Sequence, residues 1–222
     1  MRILITGFQR SGTTLLRRLV TMHPNVRSIM HEEFLLIKNP NDSSVKRFIN
    51  NRNVKPNENW GDKTPYYPNI RRVPVKTYFE RWINIFGKKE SRIINVYRHP
   101  YDVAFSVDNK YNGQNFIKAI SLYRRAIPRA LETIDMPEVL SFKYEELVSN
   151  PDKVVPMIYD FCGLKQIDFR RKMKTWENPK YQSFDESRIF AYRNRKIPKI
   201  KEPLDDIIMD LNEKLGGPEY EI

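Results

Sequence analysis

Gly7-Phe8-Gln9-Arg10-Ser11-Gly12-Thr13-Thr14 is the stretch whose reading decides the architecture of this chain. A short apolar run, Ile3 to Thr6, precedes it, and Leu15, Leu16, Leu19, Val20 and Met22 follow at helical spacing up to His23-Pro24. The local pattern is strand, tight loop, helix. In such a G-x-x-x-x-G loop, successive backbone N–H groups and the helix N-terminus face one spot, and the helix dipole favours negative charge there. The nucleotide-hydrolysing form places a Lys after the second glycine and a magnesium-binding hydroxyl next to it. Here Thr13 holds the Lys position, and the cation has moved inside the loop to Arg10, among the hydroxyls of Ser11, Thr13 and Thr14. An anion-binding loop is expected, with its lysine replaced.

Outward from the loop, Arg92-Ile93-Ile94-Asn95-Val96-Tyr97 reads as a parallel strand buried on both faces, running into Arg98-His99-Pro100. Glu138 to Phe142 reads as another, giving way to Tyr144-Glu145-Glu146-Leu147; Asn150-Pro151 then opens a helix from Asp152 to Cys162, closed by Gly163. A short strand from Val26 to Ile29 follows the first helix. Helices are expected over 67–86 and 116–134, with Tyr78, Phe79, Trp82, Ile83 and Phe86 as a core stripe. Strands alternating with helices imply an α/β fold with a parallel sheet. The polar stretch 39–60 reads as a surface excursion around a short helix at 43–49, and the cationic stretch 178–202 as a lid. A final helix over 205–222 presents an acidic face to basic surface. With no internal repeat and no linker, 1–222 reads as a single domain.

The 222 residues are 40% hydrophobic and 30% charged, which excludes both a membrane-embedded and a fully disordered chain. Lys+Arg 39 against Asp+Glu 27 gives a net charge of +12, so the expected partner is anionic: nucleic acid, a membrane surface or a polyphosphate-like ligand. A lone cysteine, Cys162, forms no internal disulfide, and His23, His31 and His99 lack zinc spacing, so no metal is expected. The first residues are too short for a secretory apolar region and no run approaches a membrane span, so a cytoplasmic location is expected. Asn41-Asp42-Ser43 matches a glycosylation sequon and reads as loop chemistry.

The loop from Gly7 to Leu16, with His23-Pro24 after it, resembles the 5′-phosphosulfate loop of sulfotransferases that use 3′-phosphoadenosine 5′-phosphosulfate (PAPS). Arg98-His99-Pro100-Tyr101-Asp102-Val103-Ala104-Phe105-Ser106 resembles that family's 3′-phosphate motif, in which the Arg and the Ser eight residues later bind the phosphate. Gly61-Asp62-Lys63-Thr64-Pro65 is similar to a third motif, whose Lys approaches the bridging region of the phosphosulfate. The resemblance covers most of Met1 to Gly163 and fades beyond it. It implies a P-loop-like three-layer fold with a central parallel sheet flanked by helices, PAPS as cofactor, and metal-free sulfuryl transfer to a hydroxyl or amine. Residues 1–163 then form the cofactor-binding core, and 164–222 supply C-terminal helices and the basic lid.

The resemblance further implies that Arg10, Ser11, Gly12, Thr13 and Thr14 bind the 5′ end, that Arg98 and Ser106 bind the 3′-phosphate, and that Tyr144 lies near the adenine. Lys110, one turn beyond Ser106, adds charge to the same phosphate or is a solvated helix cation. Arg10 and Lys63 also serve catalysis. In the tyrosylprotein branch the second member of a Glu-Glu pair is the base, which selects Glu33 here, with Glu32 in reserve and His31 as a third candidate. His99 reads as structural, and Asp62 as orienting Lys63 or capping a turn. A P-loop kinase would require Lys at Thr13 and a carboxylate where Arg98 stands. A nucleic-acid-binding reading rests on the net charge and on the basic runs 170–174 and 188–201, with no accompanying motif. The expected acceptor is a small hydroxylated molecule or a glycan, and Ser187, Arg193 or Lys196 is expected to reach the 3′-phosphate.

Overall fold

A computed structural model describes residues 1–31, 58–65, 74–111, 113, 115–177, 183–200 and 203–221, with Met30 and His31 described as backbone alone. Strands β1 (Arg2–Gly7), β2 (Val26–His31), β3 (Asn59–Lys63), β4 (Ser91–Tyr97) and β5 (Val139–Lys143) form a parallel sheet in the order β2-β3-β1-β4-β5. Because successive side chains point to opposite faces, Ile3, Ile5, Ile94, Val96 and Phe142 enter one core, while Leu4, Ile93 and Tyr97 enter the other. The near-continuous apolar character of β1 and β4 follows from burial on both faces.

The first core is closed by α1 (Thr13–Thr21), α5 (Tyr144–Ser149), α6 (Pro151–Phe161) and α7 (Phe169–Met173). The second is closed by α2 (Val75–Phe86), α3 (Pro100–Lys110), α4 (Phe116–Leu131) and α8 (Asp205–Lys214). The result is a P-loop-like three-layer α/β fold. The crossover leaving β1 runs toward β2, and that leaving β4 runs the opposite way to β5. Their C-terminal ends therefore flank a topological switch point, where open parallel sheets present a crevice.

Three expectations change. The surface excursion expected to reach residue 60 ends earlier: Asn59 and buried Trp60 begin a strand, β3, that runs to Lys63 between β1 and β2. Its sequence, Asn59 to Lys63, shows no apolar alternation, and neighbours on both sides hold it in place. The final helix ends at Lys214, not at the chain end; its apolar face, Ile207, Ile208 and Leu211, packs into the second core, and Asp206 pairs with Arg124. The helix expected over 67–86 is described from Val75, after Pro74, and the one expected to 134 stops at Leu131. The excursion at 39–60, with its short helix and sequon, falls largely outside the described residues. Among the described residues no helix is long and apolar enough to cross a membrane, and no group of three or more His, Cys, Asp or Glu is arranged to hold a metal.

Trp82 ties α2 to the sheet. It is fully buried, its Nε1 donates to the Arg2 carbonyl at 3.2 Å, and its ring meets Phe86 at 4.7 Å and Trp60 at 6.2 Å. Trp82→Ala is expected to lower the unfolding free energy by about 3–5 kcal/mol in denaturant titration, because a cavity of that size cannot collapse.

Candidate functional site

Steric constraints on two glycines shape the loop. A Cβ on Gly7 (φ 150°) would lie 2.4 Å from the Val96 carbonyl oxygen of β4, so β1 can end this close to its neighbour only with glycine. Gly12 (φ 95°) has the Tyr144 ring where its Cβ would be, 2.3 Å from Cδ2. Between them the Ser11 N–H donates to the Phe8 carbonyl at 3.1 Å, and Arg10 adopts a left-handed φ of 73°. A non-glycine residue in that region costs of order 1–3 kcal/mol and marks a conformation imposed by its surroundings. Helix α1 begins at Thr13 with no side-chain cap among the described residues and no acid in its first turn, so its first N–H groups are open to an anion. Beneath the loop, the buried Ser11 Oγ has no hydrogen-bond partner among the described residues.

The loop floors a cleft of about 640 Å³ at the C-terminal ends of the strands. Lys63 enters from the end of β3, Arg98 from the end of β4, Ser106 and Lys110 from α3, and Tyr144 from the start of α5. A strap made of the short 3-10 turns Glu186–Arg188 and Ala191–Asn194 contributes Ser187, Arg188 and, just beyond, Arg195. Among the described lining residues six are cations and one, Asp102, is an acid. Arg10 Nε donates to Ser106 Oγ at 2.9 Å. Arg98 donates to the carbonyls of Arg10 (3.3 Å) and Arg188 (2.5 Å), and its guanidinium stands 4.7 Å from the centre of the Tyr144 ring. Its Nη2 lies 3.9 Å from Asp102 Oδ2, and its buried Nε has no hydrogen-bond partner among the described residues. The arrangement is donor-rich and acceptor-poor, as a polyanion requires.

Arg10, Gly12, Thr13, Thr14, Lys63, Arg98, Ser106, Lys110 and Tyr144 thus all line one cleft, and Ser11 sits just below it. Glu32 and Glu33 lie outside the described residues. The backbone of His31 ends β2 in register with Lys63. Asp62 is buried in β3 and accepts from the Thr64 hydroxyl at 2.6 Å. Arg193 turns away from the cleft: it pairs with Glu221 at 2.6 Å and covers Phe190. Lys196 does not line the cleft either; Arg188 and Arg195 take the places expected for these two. The basic run lacks periodicity, so nothing in the sequence distinguished Arg193 from Arg195.

His99 is fully buried. Its Nδ1 accepts from Tyr101 N at 3.3 Å, and its ring stacks on Tyr192 with centroids 4.1 Å apart. Burial pushes its pKa down to about 3, so it is neutral throughout the working range. Burial also raises the pKa of Asp102, a shift opposed by nearby Arg98; Asp102 Oδ1 accepts from the Tyr192 N–H at 2.9 Å and so ties the strap to α3.

A sequence model of the sulfotransferase domain matches residues 1–201. No curated protein matches the chain in sequence. Similar solved structures include the sulfotransferase domain from the curacin biosynthetic pathway, 18% identical, covering 96% of this chain and 98% of that one with a TM-score of 0.71. The sulfotransferase domain from the Synechococcus PCC 7002 olefin synthase is 20% identical, with coverage of 98% and 96% and a TM-score of 0.70. A mouse sulfotransferase complexed with PAP is 15% identical, with coverage of 95% and 84% and a TM-score of 0.61. At these identities the structural likeness is one of fold.

The depressed pKa of His99 has a measurable consequence. Between the unfolded value of 6.5 and the folded value of about 3 the unfolded chain binds the extra proton, so stability falls as the pH falls. From neutral pH to about pH 5 this contribution is about 2 kcal/mol. Denaturant titrations at the two pH values should show the loss in the natural chain, and His99→Asn should lose less over the same interval.

Proposed function

The chain belongs to the sulfotransferase domain family, and we propose that it moves the sulfuryl group of PAPS to a hydroxyl acceptor within the cleft described above. The observation that carries this reading is the Arg10–Ser106 hydrogen bond. It joins the phosphate loop to a motif 96 residues away, so one ligand can meet both. The residues fit a nucleotide with two separated anionic ends. The unpartnered Ser11 Oγ and Arg98 Nε are donors in want of acceptors, and the uncapped α1 N-terminus faces the same space.

When bound, PAPS supplies a sulfuryl group on a phosphate leaving group. The loop amides and the Thr13 and Thr14 hydroxyls would hold its 5′ end, while Arg10 and Lys63 offset the negative charge that gathers on the departing phosphate. Arg98, Ser106 and Lys110 would hold the 3′-phosphate, joined by Arg188 and Arg195 from the strap. Tyr144, fixed against Gly12, would offer a flat surface to the adenine. Glu33 is our assignment for the base that takes the acceptor proton, with Glu32 and His31 as the alternatives. The acceptor is a small hydroxylated molecule or a glycan.

Calorimetry should show binding of adenosine 3′,5′-bisphosphate (PAP), and absence of binding would overturn the assignment. With labelled PAPS and a panel of hydroxylated acceptors, Arg10→Ala should lower transfer by about 10²–10³-fold with a smaller loss of PAP affinity, because it acts mainly on charge developed during transfer. Equal loss of both would make Arg10 a general binding residue. Glu33→Ala should retain PAP binding while turnover falls by about 10²–10⁴-fold. Near-normal turnover in that variant would remove Glu33 as the base.

A further inference from the structure

The peptide linking Arg98 to His99 is gripped on both sides by buried side chains. The Arg98 carbonyl accepts from the Tyr123 hydroxyl at 2.6 Å, and the His99 N–H, across the same bond, donates to Glu145 Oε1 at 3.0 Å. A peptide unit is planar, so fixing its carbonyl and its N–H together fixes the orientation of the unit. That orientation sets where the Arg98 side chain leaves the end of β4.

The second carboxylate oxygen of Glu145 accepts from the Tyr220 hydroxyl at 2.6 Å. Tyr220 follows α8 and is itself secured: Asn212 accepts from its N–H and donates to its carbonyl, each at 2.8 Å. Lys143 adds bonds to Asn212 Oδ1 (2.9 Å) and the Pro218 carbonyl (3.0 Å), with its ammonium 4.5 Å from the Tyr220 ring centre. Glu145 has no solvent exposure; among the described residues a peptide N–H and a phenol donate to its two oxygens, and the positive charge of Arg98 lies nearby. Burying a carboxylate is costly compared with an apolar side chain of similar size, even with two donors and nearby cations. Such an arrangement is explained when the carboxylate holds something whose position matters, and here that is the backbone of Arg98.

We propose that Tyr123, Glu145 and Tyr220 are positioning residues that aim Arg98 at a 3′-phosphate, so that discrimination for that phosphate depends on the segment following α8. The inference rests on the reading of the cleft as a PAPS site and adds the residues that set its selectivity. None of the three need touch the nucleotide; they act through the Arg98–His99 peptide.

The test compares the affinities of PAP and adenosine 5′-monophosphate (AMP), which differ by the 3′-phosphate, measured by calorimetry on the full chain. Tyr123→Phe and Tyr220→Phe each remove one hydroxyl and keep the ring. Each is expected to weaken PAP by about tenfold, the scale of one well-placed hydrogen bond, while AMP affinity changes less than about twofold. Tyr159→Phe is the control: it deletes a buried hydroxyl bonded to the Leu19 carbonyl at 3.0 Å in the opposite core, and it should leave the PAP-to-AMP ratio unchanged. An unchanged ratio in both test variants overturns the proposal. So does a parallel loss of PAP and AMP, which would mean a purely structural role. If the natural chain itself binds PAP no better than AMP, the reading of the cleft fails first, a result separable from the other two.

Discussion

The close passage of β1 against β4 is the constraint from which the site follows. Gly7 pairs with Val96, and no side chain fits between the Gly7 backbone and the Val96 carbonyl. The loop therefore starts beside the residues that end β4, and Arg98 emerges within hydrogen-bonding reach of the loop carbonyl of Arg10. Two chain segments far apart in sequence meet because a parallel sheet with a switch point brings the ends of adjacent strands to the same edge. The side chains lining the cleft elaborate on that meeting.

Gathering six cations in one cleft carries a cost in mutual repulsion, and the structure limits it by the way it orients them. Arg10 is directed by the Ser106 hydroxyl, and Arg98 chiefly by two backbone carbonyls. A neutral acceptor fixes the Arg10 guanidinium without neutralising it, whereas Arg98, held by carbonyls, also has the Asp102 carboxylate 3.9 Å from its Nη2, which offsets part of its charge. Arg188 differs: Asp185 engages its Nε at 2.5 Å and holds it as part of the strap. The left-handed backbone of Arg10 fits the same pattern, since strain at a loop residue is tolerated where the surrounding structure overdetermines it.

Much of the frame was legible in the sequence. The apolar runs at Ile3 and Ile93 read correctly as strands because burial on both faces leaves them almost no polar positions, and the glycine spacing located the loop between β1 and α1. β3 was missed as a strand because Asn59-Trp60-Gly61-Asp62-Lys63 follows neither helical nor strand periodicity and depends on neighbours that only the fold supplies. That Arg98, Ser106 and Arg10 share one cleft is what the family resemblance of their motifs implied. The Tyr144–Gly12 contact and the Glu145–Tyr220 bond were not, since both join segments whose proximity is a property of the tertiary arrangement. The choice of Arg195 over Arg193 was hidden for a related reason: Glu221 draws Arg193 away, and no local pattern encodes that pairing.

The stitching of Tyr220 to Asn212 and Glu145 also bears on how the protein is made. Synthesis proceeds from the N-terminus, so a growing chain of some 200 residues already contains the loop, the Arg98 motif and every described cation that lines the cleft. It lacks the phenol that holds Glu145. The bond from Tyr220 to Glu145 therefore cannot form until residue 220 has cleared the ribosome, well after the segments that line the cleft have emerged.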